Sequence, residues 1–282
     1  MGEDKHIIEA LGKTRVVIED GIITNISEPE IDWCPIFAKY HNIKHITRED
    51  VRRNIEYRID DFGMCTAKRQ LKMKDMLSVG ISEILRSNVK LGNIDCVVGA
   101  CEGVGTVLMT DPDVVQGVGG RVSGLVSTTP IEEIISQLGV ENVLDPSTAK
   151  LDQLEGLKKA VDMGYKNIAV TVIPGPLVKQ LRSLELPSGV NVYIFVAHTT
   201  GVDEVIAEEL FDNADIVTAC ASKSISKLAN EKKPYYYGTA VPIFAVSDEG
   251  KFLLDARLED IGKPLSIKDY PLDFSKQPKP LK

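Results

Sequence analysis

From residue 94 onward, short apolar runs alternate with amphipathic stretches at roughly one strand-length run every 24 residues, and this rhythm constrains the fold more than any other feature of the chain. The runs fall at 94–100, 122–126, 142–144, 167–172, 191–197 and 215–218, with a helix-period stretch after most of them. Strands that are apolar throughout must be covered on both faces, and helical connections supply the cover. The expected architecture is therefore α/β: a mostly parallel, Rossmann-like sheet with helices on both faces.

The preceding segment reads differently. Residues 14–19 and 22–26 are β-rich and flank Asp20-Gly21, a pair suited to a type I′ turn, which predicts an antiparallel hairpin. Thr47-Arg48-Glu49-Asp50 has the form of a helix start: a hydroxyl to accept from free backbone N–H groups, then acids at the positive end of the dipole. Val51, Ile55 and Ile59 share one face of that helix, which should stop near Phe62-Gly63, and a second helix is expected over 75–87 with Met76, Val79 and Ile84 inward. Near the other end, 241–246 and 252–254 around Glu249-Gly250 read as another hairpin. The expected organisation is an N-terminal hairpin-and-helix segment over 1–90, a parallel-sheet domain over 91–272, and a mobile tail over 273–282 where Pro278, Pro280 and lysines gather.

Composition removes several function classes. With 43% apolar residues the chain can bury a sizeable core. No run approaches the ~18 apolar residues of a membrane helix, and Met1-Gly2-Glu3-Asp4-Lys5-His6 lacks a signal peptide's apolar stretch, so a cytoplasmic protein is expected. A formal charge of −8 disfavours nucleic acid as a partner. Five cysteines in a reducing compartment read as packed residues, ligands or nucleophiles rather than disulfides.

In a parallel sheet, ligands sit beyond the carboxyl ends of the strands. The loops there carry Thr128-Thr129, Thr199-Thr200 and free N–H groups at helix starts, a setting for a small anionic ligand or coenzyme; the competing reading is that these residues cap helices. Gly119-Gly120 lie in a glycine-dense run from Gly99 to Gly124, which suggests close approach by a ligand or another chain, and Arg121 beside them could clamp a carboxylate or phosphate. His198 follows a strand and is the general acid or base expected by position. His41 and His45 precede the helix start, so they are not expected to share a face as a metal pair. Cys101 closes the first strand and is the candidate reactive thiol. Cys34, Cys65, Cys101 and Cys220 could form a thiolate set for an iron–sulfur cluster or soft metal, although there is no Cys-x-x-Cys pair and a structural role for all of them stays open.

Longer motifs add a resemblance. Cys34-Pro35-Ile36-Phe37-Ala38-Lys39-Tyr40, Phe62-Gly63-Met64-Cys65-Thr66, the run from Thr110-Asp111-Pro112 to Gly119-Gly120-Arg121, and Val143-Leu144-Asp145-Pro146 together resemble the methanogenesis marker protein 8 family over nearly the whole chain. The resemblance implies an anaerobic cytosol, protein partners in the methanogenesis machinery and a better setting for a labile cluster, but supplies no catalytic residues. Three functions compete: an accessory factor that assembles or activates the methyl-coenzyme M reductase system, an enzyme for an anionic coenzyme or its precursor, and a non-catalytic scaffold.

Overall fold

The computed structural model describes residues 4–75, 77–121 and 124–282, with Tyr40 described in its backbone alone. The chain begins with β1 (Lys5–Ala10), β2 (Thr14–Glu19) and β3 (Ile22–Ile26), antiparallel neighbours in one sheet. Asp20 and Gly21 both adopt positive φ between β2 and β3, the geometry the expected hairpin turn requires. α1 (Pro35–His41) follows, and then α2 (Arg48–Phe62). Thr47 caps α2 by accepting from the Asp50 N–H while Asp50 accepts from the Thr47 N–H, a reciprocal box, and Gly63 ends the helix in the left-handed region. Val51 and Ile55 turn from α2 into a core shared with Ile8, Val16 and Ile18 of the sheet, all fully buried. Truncating such a side chain, as in Ile55→Ala, costs about 2–5 kcal/mol. The second helix, α3 (Ile81–Lys90), starts later than residue 75, and the inward orientation expected of Met76 lies outside the described residues.

The second sheet collects the apolar runs: β4 (Cys96–Cys101) and β5 (Gly105–Met109), then, beyond α4 (Pro112–Gly119), β6 (Gly124–Ser127), α5 (Glu132–Leu138) and α6 (Gln153–Asp162), β7 (Asn167–Val172), α7 (Leu177–Arg182), β8 (Asn191–Val196), α8 (Glu204–Asn213), β9 (Ile216–Thr218), α9 (Lys223–Lys232), β10 (Tyr235–Tyr237), β11 (Ile243–Ala245) and α10 (Asp248–Asp260). Its order is β10-β11-β9-β8-β7-β4-β5, and β6 instead joins the first sheet beside β1. Alternate residues feed opposite cores. Ile168, Val170, Ile194 and Val196 face α6 to α9, whereas Ala169 and Phe195 join the core containing residues of α3, α4, α5 and α10.

A mostly parallel sheet is not what forms. Only the central pairings β4–β7, β7–β8 and β8–β9 are parallel; β5 pairs antiparallel with β4 on one edge, and on the other β11 pairs antiparallel with β9 and β10 with β11, so the sheet is mixed. The reason at β5 is local. Gly103 and Gly105 both take positive φ and fold the chain straight back, pairing Cys101 with Gly105 where a helical crossover was expected. The run at 122–126 falls partly outside the described residues, and its remainder lies in β6, in the antiparallel sheet. The run at 142–144 overlaps a 3-10 turn and contributes one isolated bridge, Val107 to Val143. Residues 252–254, expected as a hairpin strand, lie in α10. Ser247 caps it by accepting from the Gly250 N–H, Asp248 and Glu249 occupy its first turn, and Leu253, Leu254 and Leu258 are buried.

The last residues pack against both halves of the chain. Lys279 exchanges backbone hydrogen bonds with Trp33, Gln277 accepts from Ser226 at 3.1 Å, and Lys282 pairs with Ala221 and Lys223. Among the described residues, no helix is long and apolar enough to cross a membrane.

Candidate functional site

The carboxyl end of β4 meets the first sheet in a buried polar seam. Glu102 follows β4 directly and is fully buried; it accepts from Arg69 Nε at 2.5 Å, and Arg69 is itself 1% exposed. Arg69 also donates to backbone, from Nη1 to Gln70 O at 2.5 Å and from Nη2 to Gly117 O at 3.0 Å. Two cysteines border this pair. Cys101 lies with its thiol 3.4 Å from Glu102 O and 3.9 Å from Glu102 Oε2, and Cys65, held at positive φ just after α2, feels the fields of Glu102, Arg69 and Cys101. Burial, reinforced by the Glu102 charge, pushes both thiols well above their ordinary pKa, so both are protonated near neutrality.

His6 reaches the same seam from β1. Its ring is fully buried, and Nδ1 lies 2.6 Å from Thr128 Oγ1, in the loop after β6. Thr128 Oγ1 also accepts from the Gly103 N–H at 2.7 Å, in the turn that follows Glu102. On the other side of the ring, Nε2 is 2.8 Å from Asp4 Oδ1 but out of line for a directed hydrogen bond. Asp4 is held in turn by Thr129, whose hydroxyl donates to Asp4 Oδ1 at 3.0 Å, and Thr129 Oγ1 accepts from the Lys5 N–H at 2.8 Å. Burial lowers the His6 pKa, against the opposing pull of Asp4 and Glu102, so the imidazole is neutral. A neutral ring with its proton on Nε2, the side facing the carboxylate, leaves Nδ1 free to accept from the Thr128 hydroxyl. Carboxylate, imidazole and hydroxyl thus stand in series, at the spacing general-base activation of a hydroxyl needs.

The other expected residues lie apart from this series. His198 is exposed, sits at positive φ, and has its ring against Gly124, where an added Cβ would lie 3.7 Å from Cγ. The local protein density lowers its pKa. Thr199 and Thr200 donate to backbone, to Thr218 O at 2.5 Å and Cys220 O at 2.6 Å, so these hydroxyls tie neighbouring loops together. Cys220, pushed up to about 11 by burial, feels Cys34 and Glu9, and Cys34 is raised by burial too. The four cysteines fall into two electrostatic neighbourhoods, Cys65 with Cys101 and Cys34 with Cys220. Among the described residues, no group of three or more His, Cys, Asp or Glu is placed to hold a metal ion. Divided between two neighbourhoods, the four thiols do not stand together as the ligands of one iron–sulfur cluster.

Arg121 stacks over the Phe62 ring at 4.6 Å, the ring Arg69 also approaches at 4.8 Å. The glycine run is explained by packing of the chain on itself. A Cβ at Gly117 would lie 2.1 Å from Leu71 O, and one at Gly120 2.5 Å from Gln116 Nε2, whereas Gly119 is exposed. His6 carries no local signal: it sits in an ordinary amphipathic strand, and its partner is 122 residues away.

A family model described as "Uncharacterized protein conserved in archaea (DUF2099)" matches residues 6–259. An uncharacterised protein of Methanocaldococcus jannaschii is 42% identical over 284 residues, covering 99% of this chain and 99% of its own. No solved structure matches the chain.

Proposed function

This chain belongs to the archaeal family DUF2099, and from that premise we propose an enzyme that transfers an acyl-type group from a small anionic substrate, with Thr128 as nucleophile and His6 as its base. The observation that carries the reading is the fully buried, neutral imidazole set between the Asp4 carboxylate at 2.8 Å and the Thr128 hydroxyl at 2.6 Å. A buried ring nitrogen without a directed partner is costly to keep, which is expected at a working site more than in a structural core. In the first step Thr128 Oγ1 bonds to the substrate carbonyl carbon as its proton passes to His6 Nδ1, and Asp4 stabilises the imidazolium that results. His6 then returns the proton to the leaving group, and in the second half-reaction it takes a proton from an acceptor hydroxyl, thiol or water as that group attacks the Thr128 ester, returning the proton to Oγ1 as it is expelled. The Gly103 N–H fixes Oγ1 in place, and the buried Arg69–Glu102 pair behind it holds the turn that carries Gly103.

The marker-protein resemblance and the relative in Methanocaldococcus support placing this chemistry in methane-producing archaea, on a coenzyme or its precursor. A fluorophosphonate probe, which reports activated hydroxyls, tests the assignment. Mass spectrometry should find the adduct on Thr128 in the natural chain, and none there in His6→Gln or Thr128→Val. No adduct on the natural chain, or undiminished labelling of His6→Gln, overturns it.

A further inference from the structure

Outside the His6 seam, the five cysteines sort by access. Cys65, Cys96 and Cys101 are buried, whereas Cys34 and Cys220 keep part of their surface open to solvent. Most of the chain separates these two in sequence: Cys34 leads into α1 and Cys220 follows β9. Shared packing and the last residues of the chain bring their loops together. Cys34 packs against the core of the first sheet, which takes in the buried Ala221 beside Cys220. Lys279 exchanges both backbone hydrogen bonds with Trp33, next to Cys34, at 3.0 and 2.8 Å, and Lys282 donates to Ala221 O at 2.8 Å. The steps from Lys279 to Lys282 reach about 11 Å at full extension, which limits how far apart the two loops can stand. Thr200 fixes the second loop by donating to Cys220 O at 2.6 Å, and the Cys220 thiol feels the charge of Cys34.

Two partly open thiols in one place support a chemistry that neither supports alone. We infer that Cys34 and Cys220 are a redox modification site, a dithiol that a low-molecular-weight disulfide converts reversibly into a bond between the start of α1 and the loop after β9. One protein thiolate attacks a sulfur of the small disulfide and expels one thiol; the other protein thiolate then attacks the protein sulfur of that mixed disulfide and expels the second. One sulfur–sulfur bond is lost and one gained, two electrons pass to the small disulfide, and both protein protons end on the released thiols. Burial of both thiols, with Glu9 beside Cys220, disfavours the thiolates and slows each attack. Dithiol and disulfide are both uncharged, so the same surroundings do not oppose the product. A bond made and broken by exchange is the kind a reducing compartment tolerates. The inference does not rest on the His6 and Thr128 assignment, which uses neither thiol.

Incubating the reduced full chain with bis(2-hydroxyethyl) disulfide in the absence of oxygen tests it, with the remaining thiols then alkylated in denaturant and the peptides mapped by mass without reduction. A peptide pair joined through Cys34 and Cys220 should appear, two hydrogens lighter than the separate peptides, in a chain that stays monomeric on a non-reducing gel. Dithiothreitol should reverse it, and Cys65, Cys96 and Cys101 should be recovered alkylated. Because the bond closes a long loop of chain, the oxidised form should melt several degrees higher than the reduced one. Cys34→Ser and Cys220→Ser should each give no joined pair and a melting temperature indifferent to the oxidant. Separate, lasting adducts on Cys34 and Cys220, no reaction at either, a joined pair that includes one of the buried cysteines, or an oxidised chain that melts no higher overturns the inference.

Discussion

Glu102→Gln is the substitution with the largest consequence that can be worked from the structure. The change preserves shape and an acceptor oxygen but removes the charge opposite Arg69, which is 1% exposed and 2.5 Å away. Two backbone carbonyls remain bonded to the guanidinium, but neither is an anion. Arg58, whose pKa burial lowers against the opposing pull of Glu102, loses the same counterweight. Removing one member of a buried pair costs about 3–5 kcal/mol, because the other is left charged and uncompensated. At about 2–4 °C per kcal/mol for a chain of this size, the melting temperature should fall by roughly 6–20 °C. Urea unfolding followed by circular dichroism gives the free energy directly, provided the slope is unchanged. Two comparisons isolate the cause. Glu204→Gln breaks an exposed, solvent-screened pair with Lys227 at 2.7 Å and should barely move the melting temperature, and Arg69→Met with Glu102→Leu together should recover most of the loss. If Glu102→Gln costs no more than Glu204→Gln, the seam is not an electrostatically closed interior and the argument built on it is wrong.

Stability should also depend on pH through His6. Its folded pKa lies below the ordinary 6.5 because the ring is buried, so below about pH 6.5 the unfolded chain binds the proton more readily and stability falls as pH drops. Melting temperatures between pH 7.5 and 5.5 should show this decline, and His6→Asn should flatten it; an unaltered slope in the variant would place the titration elsewhere. Gly105→Ala should destabilise severely, by several kcal/mol, since its φ is +76° and a Cβ there would lie 2.2 Å from Ala149 O. Soluble, wild-type-like melting of that variant would mean the β4–β5 turn is looser than its geometry indicates.

The features legible in the sequence were those whose cause is local. Thr47, Asp50 and Gly63 mark both ends of α2 because caps are written within four residues of the terminus they close. The central strands were legible because burial on both faces demands an unbroken apolar run. Strand direction was not, since whether a run pairs parallel or antiparallel depends on the connection before it, and at β5 that hinges on two glycines at positive φ. The site divided in the same way. Thr128 and Cys101 stood out as strand-end residues, but Glu102, Arg69 and His6 are defined by contacts 33 and 122 residues apart in the chain. A buried ion pair leaves no periodic trace, and a histidine in an amphipathic strand resembles any other polar residue there.

The pairing of β1 with β6 sets a timetable for synthesis. His6 leaves the ribosome early, and its hydroxyl partner follows 122 residues later, which at 5–20 residues per second is roughly 6–25 s. Through that interval β1 has β2 to pair with but an open edge toward the place β6 will fill, the kind of edge that recruits a wrong neighbour. The nascent chain therefore passes through a period in which its reactive constellation does not yet exist and its first sheet is unfinished, a window in which a chaperone holding that edge has the most to protect.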